Sequence, residues 1–239
     1  MSGTVVFIPA WNEDENLPAV LDGLRERLGG VDVLVVDDGS ADRTADVARE
    51  HGAEVLSLGT NQGLRVAIAA GFGWALDNGY ALCGRVDADG QHPPEELAWL
   101  LALVREDRCD VAVGSRFVSG DGYEAYRYRP SGARRLGTGL LRRSMAVVLG
   151  RPFGDPTSGL WAVNAKALPL LARPYASGAP EVEALIRVVD AGLRVEEVPV
   201  DMAARASGES KLRGRKAVRL VFTVVATLVL AVLLRRRRS

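Results

Sequence analysis

The feature that most constrains the fold is an alternation, through the first half of the chain, between apolar runs of strand length and stretches of helical period. The first two runs, TVVFIPA and VDVLVVDD, are nearly unbroken and rich in β-branched residues, as expected for strands buried on both faces. Between them, apolar residues fall on one face of a helix that ends at Gly29 and Gly30. This alternation predicts an α/β fold with a mostly parallel central sheet flanked by helices.

The same unit repeats along the chain. We predict a helix over 41–51 with Ser40 as its N-cap, a strand over 53–58, a helix over 64–77, a strand over 81–86, a helix over 94–106 and a strand over 110–116. In sheets of this kind, ligands bind at the carboxyl ends of the strands. The polar residues of this sequence also gather at those ends.

Composition limits the classes of function. The 239 residues suffice for a sizeable core, and the equal totals of 30 basic and 30 acidic residues give no overall field that would attract nucleic acid. Cys83 and Cys109 form no CxxC motif and lie in or beside predicted strands, which indicates buried thiols in a reducing compartment. The amino terminus lacks the basic and apolar regions of a signal peptide. We therefore expect the catalytic part to stay in the cytoplasm.

Three predicted strand ends carry polar clusters, namely PAWNE over 9–13, DDGS over 37–40 and DADGQ over 87–91. Each could simply be a turn, but together they surround one crevice. The glycines match neither G-x-G-x-x-G nor the P-loop pattern, which disfavours a dinucleotide fold or a P-loop. A diphosphate bound there needs another counter-charge. Asp87, Asp89 and Gln91 offer the oxygen ligands that suit Mg²⁺ or Mn²⁺.

Several motifs resemble the family 2 glycosyltransferases with the GT-A fold, and within them the polyprenyl-phosphate sugar transferases similar to dolichyl-phosphate mannose synthase. The matching segments are IPAWNEDENL, VVDDGSADRT, NQGLRVAIAAG, VDADGQHPPEEL, VGSRF, DPTSGLWA, APEVEAL and EVPVDMAARASGESKL. They span nearly the whole chain in the family's order. The resemblance implies a GT-A nucleotide-sugar-binding fold and transfer of a sugar from a UDP- or GDP-sugar.

The resemblance also implies roles for the residues at the strand ends. Pro9, Trp11, Glu13 and Asp38 would contact the base and ribose of the donor, and Asp87 would contact the donor while holding the metal with Asp89 and Gln91. Trp11 stands where the family more often has tyrosine, so an aromatic ring is kept without its hydroxyl. Leu64 and Arg65 stand where a lysine often follows N-x-G.

The second half of the chain supplies candidates for binding the acceptor. Donors suited to a phosphate monoester are Arg116, Ser131, Arg134, its neighbour Arg135, Arg205, Ser210 and Lys211. By the resemblance, Asp155 belongs to the reaction centre, and Glu181 and Glu183 lie where relatives that use hydroxyl acceptors place a catalytic carboxylate. A hydroxyl needs a general base, whereas a phosphate is already ionised. Two acceptors therefore remain open: a polyprenyl phosphate, or a hydroxyl of a surface glycan that would use Glu183 as base.

The carboxyl-terminal segment bears on the lipid acceptor. We divide the chain into a GT-A domain over 1–212 and a hydrophobic helix with basic flanks over 213–239. The uncharged run over 220–234 is roughly 22 Å long as a helix, short of a bilayer core of about 30 Å. A marginal span, an interfacial helix and a helix packed on protein remain alternatives. The first two place the protein at the cytoplasmic face of the cell membrane, and an exposed apolar helix favours self-association.

A second helix, over 136–149, has apolar residues on one side and Arg142 and Arg143 opposite. This pattern fits an interfacial helix and an ordinary core-facing helix equally well. Two further classes of function are disfavoured. Phosphatases with an aspartate nucleophile usually carry D-x-D on their first strand, and a non-catalytic scaffold has no need of an acidic pair together with D-P-T-S-G.

Overall fold

The computed structural model describes residues 3–118 and 149–202, together with 143, 145 and 146. In this part of the chain, seven strands form one sheet. They are β1 (Thr4–Ala10), β2 (Asp32–Asp37), β3 (Glu54–Ser57), β4 (Leu82–Arg85), β5 (Val111–Ser115), β6 (Trp161–Asn164) and β7 (Val195–Pro199). The helices are α1 (Leu17–Arg27), α2 (Thr44–Glu50), α3 (Leu64–Asp77), α4 (Pro94–Arg105), α5 (Leu168–Leu171) and α6 (Pro180–Asp190).

The order of strands across the sheet is β3-β2-β1-β4-β6-β5-β7. β6 runs antiparallel to both of its neighbours, while the other pairings are parallel. The sheet is therefore mostly parallel, as predicted from the sequence. Its order reverses direction at β1, because β2 and β3 extend to one side and β4 to the other.

Helices cover both faces of the sheet. Along β1, the side chains of Val5 and Phe7 pack in a core with α3, α5 and α6, while those of Val6 and Ile8 pack in a second core with α1, α2 and α4. Successive side chains of a strand point to opposite faces, so the unbroken apolar run of β1 supplies both cores. The aromatic rings of Phe7 and Phe72 meet edge to face at 4.8 Å.

The elements predicted between residues 4 and 116 are confirmed in type, with one error at a helix start. α2 begins at Thr44 and not at 41, and Ser40 is not its N-cap. The hydroxyl oxygen of Ser40 instead accepts a hydrogen bond from the backbone N–H of Asn12 at 3.0 Å. The side-chain oxygen of Asn12 accepts one from the N–H of Ala41 at 2.9 Å. These contacts hold residues 40 and 41 against the loop after β1, so α2 begins later in the sequence than predicted.

The carboxyl-terminal segment over 213–239 and its boundary with the GT-A domain lie outside the described residues, as does most of the predicted helix over 136–149. Met145 and Leu149 from that helix are buried in the core with α3 and α6. This contact fits the core-facing alternative for its carboxyl-terminal end. Within the part of the chain that the structure describes, no helix combines the length and the apolar content needed to cross a membrane.

Candidate active site

A crevice opens between β1 and β4, where the strand order reverses. The two strands pair only as far as Phe7 opposite Arg85, whereas β1 continues beside β2 to Ala10. Pro9 lies in this last part of β1, where the strand has a neighbour on one side only. A proline has no N–H for a ladder and is tolerated at such a position. The divergence of β1 and β4 places the loops after them on opposite sides of a crevice, the usual ligand position in an open α/β sheet.

The loops after β1, β2 and β3 form one wall of this crevice. Asp38 is buried, and its two carboxylate oxygens accept hydrogen bonds from the N–H groups of Gln62 at 2.7 Å and Gly63 at 2.8 Å. The backbone N–H of Glu13 donates to the Thr44 hydroxyl at 2.9 Å. Trp11 projects from this wall with 42% of its surface exposed. The structure thus brings the predicted nucleotide-binding residues Pro9, Trp11, Glu13 and Asp38 to one side of the crevice.

Asp87 lies at the centre of the other wall. Its Oδ1 is 3.1 Å from Nη2 of Arg85, and the same nitrogen is 2.9 Å from Oε1 of Glu181 in α6. A Cβ atom at Gly159 would lie 2.6 Å from Cγ of Asp87, so the carboxylate packs directly on the D-P-T-S-G loop. Burial favours the neutral acid and is the largest single effect, but the charge and hydrogen bond of Arg85, with smaller contributions from other nearby groups that include Arg116, together outweigh it and lower the pKa of Asp87. Asp87 is therefore held as a carboxylate.

Asp89 and its neighbours continue this wall. The Oδ1 atom of Asp89 accepts a hydrogen bond from the backbone N–H of Gln91 at 3.1 Å. The N–H of Asp87 donates to Nδ1 of His92 at 3.0 Å, and burial lowers the pKa of His92, so this imidazole is neutral. Among the described residues, no group of three or more His, Cys, Asp or Glu side chains is placed to hold a metal. Two carboxylates with substrate phosphates and waters are nevertheless a common ligand set for Mg²⁺, and the pair Asp87 and Asp89 fits it.

Asp155 and Arg116 form an ion pair at the other end of the crevice. The guanidinium of Arg116 donates two hydrogen bonds to the buried carboxylate of Asp155, from Nε to Oδ2 at 2.6 Å and from Nη2 to Oδ1 at 2.8 Å. Glu197 in β7 holds the loop from below, because its two oxygens accept hydrogen bonds from the N–H groups of Gly154 at 2.7 Å and Asp155 at 2.6 Å. Two residues predicted separately are thus direct partners, and Asp155 fixes the plane of the Arg116 guanidinium.

Glu183 belongs to the first turn of α6 and holds the loop before it. Its carboxylate accepts hydrogen bonds from the N–H groups of Ala176 at 3.3 Å and Ser177 at 2.9 Å, and it pairs with Arg187 at 2.6 Å. Burial opposes ionisation, but the contacts with Ser177 and Arg187 prevail and lower the pKa of Glu183. A carboxylate with these partners is a weak proton acceptor.

The remaining predicted acceptor ligands are not placed by the structure. Ser131, Arg134, Arg135, Arg205, Ser210 and Lys211 lie outside the described residues. Of the predicted phosphate ligands, only Arg116 belongs to the described part of the chain. Arg65, from the position after N-x-G-L, donates to the backbone carbonyl of Tyr175 at 2.9 Å and so ties α3 to the loop before α6.

Three residues of this site were not predicted from the sequence: Arg85, His92 and Glu197. The signal for Arg85 was a charged residue within the otherwise apolar strand over 81–86. A buried cation needs a counter-charge, so that position pointed to an ion pair. His92 and Glu197 gave no comparable signal, because both accept hydrogen bonds from backbone N–H groups that reach them only once the loops are folded.

Comparison with known proteins agrees with this geometry. The family model described as "Glycosyl transferase family 2" matches residues 5–168. The chain is 37% identical over 218 residues to the undecaprenyl-phosphate mannosyltransferase of Micrococcus luteus, covering 88% of this chain and 87% of that protein. It is 33% identical over 230 residues to the polyprenol monophosphomannose synthase of Mycolicibacterium smegmatis, covering 92% of this chain and 85% of that protein.

Solved structures resemble the fold. The crystal structure of glucosyl-3-phosphoglycerate synthase from Mycobacterium tuberculosis in complex with Mn²⁺, UDP-glucose and phosphoglyceric acid superposes with a TM-score of 0.71 and 23% identity. The match covers 96% of this chain and 79% of that one. This likeness supports the GT-A-like arrangement of sheet and helices. The family model and the two relatives show that the chain is a glycosyltransferase and belongs to glycosyl transferase family 2.

Proposed function

We propose that this glycosyltransferase transfers a sugar, with inversion, from a UDP- or GDP-sugar to a polyprenyl phosphate at the cytoplasmic face of the cell membrane. The product is a lipid-linked sugar for cell-envelope glycan synthesis. The observation that carries the proposal is the position of Asp87, which is a strand-end carboxylate on the donor side and packs against Gly159 of the D-P-T-S-G loop. The names of the two relatives support a polyprenyl-phosphate acceptor, since the match extends over most of each chain.

On the donor side, Pro9, Trp11, Glu13 and Asp38 bind the nucleoside. The exposed ring of Trp11 offers a stacking surface for the base. The Asp38 carboxylate keeps the loop over 58–63 in place through the N–H groups of Gln62 and Gly63. Each of its oxygens has two lone pairs, so it can also accept a hydrogen bond from the nucleotide.

Asp87, Asp89 and Gln91 would hold a divalent cation that neutralises charge on the diphosphate of the donor. The carboxylate of Asp87 is already ionised, and hard oxygen ligands suit Mg²⁺ or Mn²⁺. The fold relative was crystallised with Mn²⁺ and UDP, and also with Mg²⁺ and UDP. A bound cation there supplies electrostatic stabilisation of the leaving diphosphate.

On the acceptor side, Arg116 binds the lipid phosphate. Asp155 presents the guanidinium in a fixed plane, and an Arg in this arrangement can recognise two phosphate oxygens. The charge of Arg116 contributes to lowering the pKa of Asp87, which indicates that the donor and acceptor sides lie within electrostatic reach of each other. Ser131, Arg134, Arg205, Ser210 and Lys211 complete this phosphate site in the proposal.

The reaction then needs orientation more than proton transfer. A phosphate oxygen attacks the anomeric carbon from the side opposite the diphosphate, the C–O bond to the diphosphate breaks, and the configuration inverts. The phosphate is ionised at neutral pH, so no general base is required. Asp155 contributes by holding Arg116, and Glu183 by holding the loop before α6. Positioning the two partners in line lowers the barrier by making the attack effectively intramolecular.

The alternative acceptor, a glycan hydroxyl, has less support. It requires a carboxylate ready to take a proton, and the structure gives both glutamates of P-E-V-E a cationic partner. Glu181 pairs with Arg85, and Glu183 pairs with Arg187. The hydrogen bonds that lower the pKa of Glu183 weaken it further as a base.

The proposal is tested by incubating the purified full-length protein in detergent with radiolabelled UDP- and GDP-sugars, a polyprenyl phosphate and Mg²⁺ or Mn²⁺. We expect label to enter the organic phase only when both metal and lipid phosphate are present. Asp89→Asn should reduce this transfer by at least about a hundredfold, since one metal ligand is lost. Asp46→Asn, which changes an exposed acid on α2, is the matched control and should transfer at the wild-type rate.

Two results would contradict the proposal. Equal transfer by Asp89→Asn and by wild type would reject the metal site. Donor cleavage with no label in the lipid fraction, accompanied by transfer to a glycan, would replace the acceptor with a hydroxyl and return Glu183 to the role of base.

A further inference from the structure

Arg85 is a buried cation in the middle of the sheet. Only 3% of its side chain is exposed, and it lies in β4, the fourth of the seven strands across the sheet. Removing a charge from water is costly unless opposite charges and hydrogen bonds compensate it. The buried Nε–H of Arg85 has no hydrogen-bond acceptor among the described residues. Much of the compensation therefore comes from its two ion pairs.

Both ion pairs involve the same nitrogen. Nη2 of Arg85 lies 3.1 Å from Oδ1 of Asp87 and 2.9 Å from Oε1 of Glu181. Glu181 lies 96 residues from Arg85 in sequence, in the first turn of α6, and only 13% of its side chain is exposed. One guanidinium thus links an acid of the crevice to a helix from the second half of the chain.

The charges of this group are unequal. One arginine faces two carboxylates, so the trio of Arg85, Asp87 and Glu181 carries one net negative charge, and Asp89 adds another. A divalent cation at Asp87 and Asp89 would share the carboxylate of Asp87 with Arg85. The guanidinium repels such a cation, and Glu181 offsets part of that repulsion.

We propose that Arg85 is a positioning residue whose charge, adjusted by Glu181, sets how tightly Asp87 and Asp89 bind a divalent cation. This inference rests on the proposed function, because it assumes that the acidic pair is the metal site. The contact with the arginine orients the carboxylate of Asp87 before the cation arrives, and the charge of the arginine prevents tight capture of the cation in the absence of a diphosphate. The negative charge of the donor then supplies the remaining attraction.

This arrangement predicts opposite effects for substitutions of Arg85 and of its partner Glu181. Arg85→Met removes the repulsive charge and should tighten binding of Mn²⁺ about tenfold, the change expected for one unit charge near a divalent ion in a dielectric close to that of water. Glu181→Gln keeps the shape but removes the offsetting charge, so Mn²⁺ should bind several-fold more weakly. The double variant should bind with an affinity between those of the two single variants. If Arg85 and Glu181 only maintained the local structure, both single variants would bind Mn²⁺ more weakly than wild type.

The experiment measures Mn²⁺ binding directly. The full-length protein in detergent is titrated with Mn²⁺ alone, and then with Mn²⁺ in the presence of UDP or GDP, while free Mn²⁺ is followed by electron paramagnetic resonance. Arg194→Met is the matched control, because it removes a partner of the buried Asp110 at the opposite end of the sheet. It should leave Mn²⁺ affinity at the wild-type value. Circular dichroism confirms that each variant is folded.

If Arg85→Met does not fold, Arg85→Gln replaces it, because glutamine also removes the charge and keeps an N–H₂ donor for the two carboxylates. Tighter Mn²⁺ binding by Arg85→Gln supports the inference, and unchanged or weaker binding overturns it. Where Asp89→Asn abolishes Mn²⁺ binding but Arg85→Met and Glu181→Gln match wild type, only the inference fails. Absence of Mn²⁺ binding by the wild type with either nucleotide overturns the proposed metal site as well.

Discussion

At the scale of single residues, Asp87 organises the crevice. Its carboxylate meets Arg85 on one side and packs against Gly159, while its N–H donates to His92. Arg85 and His92 belong to the same stretch of chain as Asp87, whereas Gly159 belongs to the D-P-T-S-G loop, so the orientation of Asp87 depends on the positions of both segments. A displacement of about 1 Å at a reacting group can lower the rate about a hundredfold. Small changes next to Asp87 should therefore affect activity more than stability.

Gly159→Ala tests this dependence. A Cβ at this position would lie 2.6 Å from Cγ of Asp87, closer than real Cβ contacts, so the carboxylate must move. We expect kcat/KM to fall about a hundredfold, with a smaller change in the melting temperature, because Asp87 can shift toward the crevice. The measurements are steady-state transfer to lipid phosphate and thermal unfolding.

Gly29→Ala is the control for that variant. A Cβ at Gly29 meets nothing within 4 Å, so the substitution should leave transfer unchanged. Wild-type activity of Gly159→Ala would show that the carboxylate of Asp87 does not need its observed position.

The sequence allowed the acidic pair and D-P-T-S-G to be predicted as site residues, since acids at a strand end and a motif next to a turn are visible locally. It did not allow their partners to be predicted. Arg116 and Asp155 were assigned to different tasks, and their ion pair joins positions 39 residues apart. The link from Glu197 to the same loop spans 42 residues. Contacts of this range depend on how β5, β6 and β7 are ordered in the sheet, which a single sequence does not show.

At the scale of secondary structure, the crevice exists because β1 and β4 pair over a short length. The pairing stops at Phe7 and Arg85, and Pro9 cannot extend it. Strand and helix types followed from hydrophobic period, but the start of α2 did not. The Ser40 hydroxyl was expected to cap α2. Its oxygen instead accepts a hydrogen bond from the backbone N–H of Asn12 in the loop after β1. Local capping preferences are weak enough for such a tertiary contact to prevail.

The amino ends of β5 and β7 are joined by an ion-pair network away from the crevice. The buried carboxylate of Asp110 is paired with Arg194 and Lys166 and accepts a hydrogen bond from Asn164 at 2.9 Å. These partners, with Arg194 the strongest, hold the pKa of Asp110 well below its usual range. This network should stabilise the fold without contributing to transfer.

The low pKa of Asp110 predicts a pH dependence of stability. A carboxylate whose pKa is lower in the folded state stabilises the protein fully above its unfolded pKa, about 3.9. That contribution is lost as the pH falls from there toward the folded pKa. The free energy of unfolding in urea should therefore exceed that of Asp110→Asn by a constant amount above about pH 5 and by a decreasing amount below about pH 4.

Arg194→Met should reduce that pH-dependent difference, because it removes the main cause of the lowered pKa. A difference between wild type and Asp110→Asn that stayed constant down to pH 3 would mean that Asp110 titrates alike in both states. Transfer activity at neutral pH is expected to be close to wild type in both variants.

At the scale of the whole molecule, the two halves of the chain meet at the β4–β6 pairing. β4 carries Asp87 at its end, and the D-P-T-S-G loop leads directly into β6. The antiparallel strand thus brings a motif from the second half to the acid of the first. The fold class was predictable because alternating elements favour a parallel sheet. The position of β6 was not, since a four-residue apolar strand leaves its direction open.

Charge is also unevenly distributed over the whole chain. Beyond Ala204, ten basic residues face the single acid Glu209, although the totals over the chain are equal. Four of the basic residues are consecutive, Arg235 to Arg238, and follow the uncharged run over 220–234. Basic residues beside an apolar segment favour an anionic membrane surface, by about 1 kcal/mol for each residue near it. The proposed lipid acceptor requires such an association.

Replacing Arg235 to Arg238 by glutamine should therefore weaken binding to anionic vesicles by up to about a thousandfold. The measurement is cosedimentation with phosphatidylglycerol vesicles, repeated with neutral vesicles and at high salt, which screens the attraction. A variant with glutamine at the exposed Arg27, Arg43, Arg49 and Arg105 carries the same change in net charge and should bind as wild type. Equal loss in the two variants would mean that overall charge, and not the carboxyl-terminal segment, determines membrane binding. Loss confined to the first variant, with transfer to a detergent-dispersed lipid phosphate retained, would assign the segment to membrane recruitment and leave the chemistry to the crevice.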